Sequence, residues 1–361
     1  MRPHIADLMA TLRSTPQSLL AFTPARWEAT IHAARRANLL SRLAADLDDA
    51  GLLAQVPGAP RAHLDAALIV ARAQREAVLR EVALICAALA GVGIDVVLLK
   101  GAAYVLADLP VARGRVFSDV DILVPGETLA AVEAALMLHG WSTTHHDAYD
   151  QRYYRQWMHE LPPLRHNVRS TVVDVHHAIL PLTARVKPPS AKLLAAARPV
   201  EGDARVRVLC PVDMVLHSAT HLFQNEELTQ GLRDIADLDG LLRHFGPQAG
   251  FWDELPRRAA ELGLARPLYY GLRFASRFMD TPVPADVLRV AASGRPPRLV
   301  RALMDVLYDR ALRLDEEAAA GWLSPLARRM LYVRAHWLRM PPTLLARHLS
   351  VKAFRRQPDP A

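Results

Sequence analysis

The spacing of apolar residues along the chain changes twice. Up to residue 92 they recur at helical intervals, which predicts helices over 5–14, about 24–50 and about 60–92. The last of these, RAHLDAALIVARAQREAVLREVALICAALAGVG, stops at Gly91 and Gly93, and Pro57 and Pro60 set it apart from what precedes it. Its length and apolar content suit a helix packed on a central sheet. From Ile94 to about Cys210 the pattern becomes short alternating or unbroken apolar runs, with strands expected at 95–99, 119–124, 141–145, about 164–168 and 171–179. A helix, ETLAAVEAALMLHG, joins the second and third of these, with Glu127 favourable near its start and Gly140 closing it. After Pro211 helical spacing returns in VDMVLHSATHLFQNE and LRDIADLDGLLRHFG and continues to about residue 355, broken at Gly246, Pro247, Pro282, Pro284 and Gly294–Pro297.

The predicted fold is therefore α/β. A helical N-terminal portion (1–92) precedes a small mixed-sheet domain (93–210), and a helical C-terminal domain with a basic tail follows (211–361). The chain has 361 residues, 51% hydrophobic and 6% aromatic, enough for a sizeable core of largely aliphatic character. No apolar run reaches the ~18 residues of a membrane span, and the opening MRPHIADLMATLRS lacks the uninterrupted apolar core of a signal peptide. A cytoplasmic location is expected. Cys86 and Cys210, far apart and in apolar contexts, read as reduced core residues.

The formal net charge of +7 permits an anionic partner without identifying one. From Arg328 to Arg356 there are many arginines, one lysine and no acid, interleaved with Tyr332, Trp337 and Phe354. That tail suits nucleic acid by phosphate contact and stacking, or an anionic membrane surface. Equally it suits two amphipathic helices whose leucines complete the core and whose arginines are solvated. Lysine occurs only at 100, 187, 192 and 352, so its use at the Lys100-Gly101 turn stands out: a compact ammonium enters a phosphate site that a guanidinium fork would overfill.

Candidate chemistry concentrates in IDVVLLKGAAYVLADLPVARGRVFSDVDILVP, residues 94–125. Strand alternation puts Asp119 and Asp121 on one face and Val120 and Ile122 on the other. Two carboxylates projecting together from an apolar strand are costly unless a cation lies between them. Mg²⁺, which takes carboxylate and phosphate oxygens and keeps several waters, suits the pair. A lone Asp-x-Asp is weak evidence, because a chain of this size will carry one by chance or as two solvated acids. The ordered set is more specific: apolar strand, Lys100-Gly101, short helix, Arg115, Asp119-Val-Asp121, and then Asp174 in TVVDVHH with His176 on the same face.

That set resembles the nucleotidyltransferase superfamily related to polymerase beta, and more closely its bacterial branch of uncharacterised nucleotidyltransferases. The likeness runs over roughly 94–245 and includes the Leu232–Leu238 helix. It implies in-line attack by an acceptor hydroxyl on the α-phosphorus of an NTP co-substrate, with two Mg²⁺ ions about 3.5–4 Å apart and Mn²⁺ as a substitute. Asp119 and Asp121 would hold the ions, while Asp174 would bind the one nearer the acceptor and take its proton. Lys100, Gly101, Arg115 and His176 would serve the nucleotide, with amides at the start of the short helix receiving phosphate. The superfamily usually has Gly-Ser or Gly-Gly at the turn. Here Gly101-Ala102-Ala103 removes any hydroxyl contact, and the long loop to Asp119 leaves the position of Arg115 open.

The acceptor stays open among a small molecule, a protein and an RNA end. Two other readings remain: a toxin-like tRNA or RNA nucleotidyltransferase that uses the arginine tail, and a nucleotide-binding scaffold without turnover. The third carboxylate argues against the scaffold. His176 equally reads as a satisfied buried histidine. His217 and His221, at i and i+4, are more readily a packed or cleft-lining helix face than a metal pair. Asp234 and Arg233 are candidates for the cleft wall.

Overall fold

The computed structural model describes residues 16–143, 147–224, 228–312 and 322–345. The helix expected over 5–14, the end of the strand predicted to reach His145 and the tail beyond residue 345 lie outside these. Helix α1 (Pro24–Arg36) begins where Thr23 accepts a hydrogen bond from the Arg26 amide at 3.4 Å and Pro24 fills the first helical position. Then come α2 (Leu40–Asp49) and the 32-residue α3 (Gly58–Leu89). Pro60 lies inside the first turn of α3, where a missing N–H breaks no hydrogen bond. It therefore does not separate the helix from what precedes it, as the proline pattern suggested. Gly93, at φ 71°, turns the chain into the sheet.

The middle of the chain runs β1 (Val96–Leu98), α4 (Lys100–Leu106), β2 (Asp119–Leu123), α5 (Leu129–Leu138), β3 (Trp141–Thr143), α6 (Ala148–Trp157), β4 (Leu164–His166), β5 (Val172–His176), α7 (Ser190–Ala196), β6 (Arg198–Val200) and β7 (Asp203–Val208). The strands form one mixed sheet in the order β3-β4-β5-β2-β1-β7-β6. β2 pairs in parallel with β5, and β1 with β7; the other pairs are antiparallel.

The pattern marked five strands, and β6 and β7 were not among them. Proline in β6 and arginines alternating with valines in β7 disguise a sheet edge, and Val206 and Val208 of that pair are core. Helix α6 was also missed. Its residues are polar and aromatic all round, and its start is set by Asp147, which accepts from the amides of Tyr149 (2.7 Å) and Asp150 (3.3 Å).

The C-terminal part is helical: α8 (Pro211–Gln224), α9 (Gly231–Phe245), α10 (Phe251–Glu261), α11 (Ala265–Met279), α12 (Ala285–Ala291), α13 (Arg298–Ala311) and α14 (Leu323–Arg339). No helix among the described residues is long and apolar enough to cross a membrane. Cys86 and Cys210 are free and buried.

Two apolar clusters organise the packing. One surrounds the sheet and takes in the second half of α3 (Val78, Val82, Ile85, Leu89), α4, and residues of α8 to α11. The other joins α1, α2 and the first half of α3 (Leu64, Leu68) to Phe223, Ile235, Phe274, Tyr308 and Leu331. The N-terminal helices thus pack on the C-terminal ones. Because α8 and α9 contribute to both clusters, they are held rigidly opposite the polar face of the sheet.

Candidate active site

The site begins with two strands that each bury one face. Val120 and Ile122 of β2, and Val173 and Val175 of β5, are core residues, and each side chain of that size contributes about 1.5–3 kcal/mol by leaving water. Their alternates must face the other way. Parallel pairing sets Asp121 beside Asp174 and Leu123 beside His176, so Asp119, Asp121, Asp174 and His176 share one face.

Their surroundings differ. Asp121 is buried, and its Oδ1 accepts from Lys100 Nζ at 3.0 Å and from His176 Nε2 at 2.9 Å. Burial works to raise the Asp121 carboxyl, but the lysine and imidazole outweigh it and hold the group well below the usual carboxylate range. Asp119 is pushed up by burial and then by the charge on Asp121. Asp174 is pushed up to about 7, again by burial first and Asp121 second, and its Oδ1 is buried with no hydrogen-bond partner. The same contact with Asp121 raises Lys100 despite the opposing effect of burial.

Lys100 sits at the first residue of α4 with φ 44°, in the left-handed region that costs a non-glycine residue roughly 1–2 kcal/mol. Its ion pair with Asp121 holds the turn in that strained shape, an arrangement common where geometry serves function. Behind it, Gly101 lets Arg115 pass over the backbone: a Cβ at this position would meet Arg115 Nη1 at 2.0 Å and the Phe117 ring at 2.7 Å. Arg115 is nine-tenths buried, packs near the faces of Tyr104 and Phe117, and donates from Nε to Asp237 of α9 at 2.9 Å. The amide of Phe117 donates to Gln74 Oε1 of α3 at 2.7 Å, which fixes the same loop from the other side.

A small cleft opens between the sheet and the C-terminal helices. Lys100, Gly101, Arg115, Ser118, Asp119 and Asp121 line one wall, and His221 of α8 and Arg233 of α9 the other. Arg233 also pairs with its neighbour Asp234 at 2.9 Å. Burial, then the charge on Lys100, holds His217 down to about 3 and His221 well below its usual range, so both present neutral imidazoles to the acids.

The residues singled out in the sequence therefore gather as follows. Asp119, Asp121 and Asp174 share one face, and Lys100, Gly101 and Arg115 border the cleft. His176 is buried and orients Asp121. Helix α4, which opens at Lys100, has seven residues.

Three further residues were not found from sequence. Asp237 anchors Arg115 from 122 positions away, a pairing that no local spacing signals. Glu160 forms an antiparallel bridge with His176, and His159 stacks near the same ring at 5.3 Å. Among the described residues, the ligand atoms of His159, Glu160 and His176 lie within 4.8 Å of one another.

A divalent ion fits the acidic face on two grounds. A carboxylate oxygen of Asp174 is buried without a partner, and all three acids offer hard oxygen donors. No curated protein and no solved structure matches the chain. The model of one family does match it, over residues 23–280, a span that holds the paired-acid strand, Asp174, Lys100 and both helices facing them. By that match the chain belongs to the family of uncharacterised nucleotidyltransferases.

Proposed function

We propose that the chain transfers a nucleoside monophosphate from an NTP to an acceptor hydroxyl, with Asp119, Asp121 and Asp174 as the residues that hold magnesium. One observation carries this reading beyond the family: Asp174 lies in register with Asp121 on the same sheet face and keeps a buried oxygen that no protein group satisfies. A carboxylate left in that state is costly unless a cation completes it.

Magnesium, when bound, supplies Lewis-acid stabilisation of the attacking and leaving oxygens. The rest is the work of the protein. Lys100 and His176 keep Asp121 ionised at neutral pH and fix its Oδ1, leaving the other oxygen for a cation. Arg115, its direction set by Asp237, and Arg233 on the opposite wall take triphosphate charge. The acceptor oxygen forms a bond to the α-phosphorus as the bond from that phosphorus to the β-phosphate bridge breaks, and pyrophosphate leaves. Asp174 receives the hydroxyl proton on the oxygen it does not give to the cation. Neutral His221 adds no charge to the wall that carries Arg233.

The test is incubation of the protein with α-phosphate-labelled NTPs, Mg²⁺ and cell extract. The expected result is label in a discrete acceptor with stoichiometric pyrophosphate, both lost in Asp119→Asn combined with Asp121→Asn. Labelling that survives the double substitution would overturn the reading.

A further inference from the structure

We infer that His159, Glu160 and His176 form a second metal site, of zinc-type chemistry, beside the acidic face and distinct from the magnesium site proposed above. The backbone builds it. The chain leaving α6 runs antiparallel to β5: His177 N donates to His159 O at 2.8 Å, Leu161 N donates to Val175 O at 2.9 Å, and Glu160 bridges His176. Residues opposed across such a bridge face the same side. Glu160 and His176 therefore project together, on the face that also holds Asp121 and Asp174.

His176 Nδ1 is 3.3 Å from Glu160 Oε2, and His159 Nε2 is 3.8 Å from that same oxygen. A tetrahedral zinc site with bonds of about 2.0–2.1 Å sets its ligand atoms roughly 3.3–3.4 Å apart; the His176–Glu160 pair already fits, the His159–Glu160 pair closes by about half an ångström, and the three ligand atoms lie within 4.8 Å of one another. Two imidazoles and one carboxylate form a donor set that favours zinc or cobalt over magnesium.

The second observation is an unpartnered buried nitrogen aimed into the group. His176 is 4% exposed, and its Nδ1 makes no hydrogen bond. Its Nε2 faces Asp121 at 2.9 Å and its Nδ1 faces Glu160 at 3.3 Å, so in the neutral ring that donates to Asp121 the Nδ1 lone pair lies on the Glu160 side. A carboxylate that orients a histidine whose other nitrogen binds metal is the usual outer partner of such a site. His159 presents Nε2 to the group, 3.8 Å from Glu160 Oε2. Three protein ligands leave a fourth position for water or substrate. The ion would lock His176, and through it the Asp121 carboxylate, so Asp121 links the two sites.

The experiment uses the full-length, untagged protein stripped of metal and titrated with Co²⁺ in excess Mg²⁺, which occupies oxygen-only sites. The expected result is one equivalent of Co²⁺ with the intense visible absorption of nitrogen-ligated, low-coordinate cobalt, displaced by Zn²⁺. His159→Ala and Glu160→Gln should each weaken it at least about tenfold, as should Asp121→Asn through the lost outer partner, while Asp119→Asn leaves it unchanged. Circular dichroism melts confirm that each variant is folded.

If wild type gives no such spectrum, or if His159→Ala and Glu160→Gln both retain it, the inference fails. It also fails if ring-nitrogen NMR at neutral pH, in the presence of Zn²⁺, shows protons on both nitrogens of His176, since the imidazole would then bridge two carboxylates as a cation. Because binding is read spectroscopically, a protein that binds Co²⁺ yet transfers no nucleotide retains this site and loses only the function proposed above.

Discussion

Glu81 is a buried carboxylate and Asp174 a partly exposed one with a single buried oxygen, and the fold treats them oppositely. Glu81, on α3, is 3% exposed and accepts from Arg169 Nε at 2.9 Å, Arg169 Nη2 at 3.1 Å and Thr171 Oγ1 at 2.6 Å. Asp213 of α8, with no exposed surface, likewise takes two hydrogen bonds from Arg258, at 2.9 and 2.8 Å. Asp174, on the strand that follows Arg169 and Thr171, has no arginine partner and keeps an oxygen with no hydrogen bond. Carboxylates that only tie elements together are matched by guanidinium forks. Those on the shared face of β2 and β5 are left with acceptor capacity to spare. The contrast separates the acids that tie the fold together from those we propose for its chemistry.

The largest effect should come from the acids with spare capacity. Asp119→Asn or Asp174→Asn should lower nucleotide transfer by about 10²–10³-fold, the loss typical of removing a group that stabilises the transition state, in a steady-state assay of label transfer. Thermal melts without divalent cations should show both variants at least as stable as wild type, because each relieves charge repulsion on the shared face.

Glu81→Gln should do the reverse. It should cost roughly 1–3 kcal/mol of stability by loosening a satisfied buried network, with transfer per folded molecule within about twofold of wild type. Chemical denaturation paired with the activity assay measures both. Were Glu81→Gln to abolish transfer without destabilising the fold, the two classes of acid would not be separable in this way.

Gly101→Ala lies between them, since the nearest atoms a Cβ would displace belong to Arg115 and Phe117. Nucleotide binding should weaken by about tenfold, as expected for disturbing a single charge-assisted contact, read by equilibrium titration with a non-hydrolysable NTP.

The smallest effect is one of pH. Asp174 titrates near 7 in the folded chain, against an unfolded value of about 3.9. The folded state therefore binds more protons across that window, and stability contributed by Asp174 falls as pH rises from about 4 through 7. In Mg²⁺-free buffer, wild type should lose melting temperature between those pH values relative to Asp174→Asn. Added Mg²⁺ should remove the difference at the upper end.

How much of this was legible in the sequence follows from the range of the interactions. Alternation within five residues was enough to put Asp119 with Asp121 and Asp174 with His176, because strand geometry is local. The Lys100-Gly101 turn was legible for the same reason. Bringing the two acidic strands side by side required β2 and β5 to pair in parallel across the 48 residues between Leu123 and Val172, and no local pattern specifies that register.

Arg115 shows the limit most clearly. The sequence marks it as a loop arginine available to phosphate, while the fold fastens its Nε to Asp237, so only its terminal nitrogens can reach the cleft. Glu160 and His159 escaped notice because the bridge that recruits them is an extension of β5 pairing outside any regular strand. Strands β6 and β7 were lost to a proline and an arginine-rich alternation that resembles a solvated loop.

The central claim is that the unpartnered oxygen of Asp174 is kept for a divalent cation beside Asp121. Carboxyl-carbon NMR of labelled aspartates, titrated with and without Mg²⁺, tests it most directly. The account predicts that Asp174 titrates near 7 in the metal-free protein and moves down by roughly two units when Mg²⁺ binds, as an adjacent cation requires. An Asp174 titration that Mg²⁺ leaves unmoved, even when NTP is present, would contradict it.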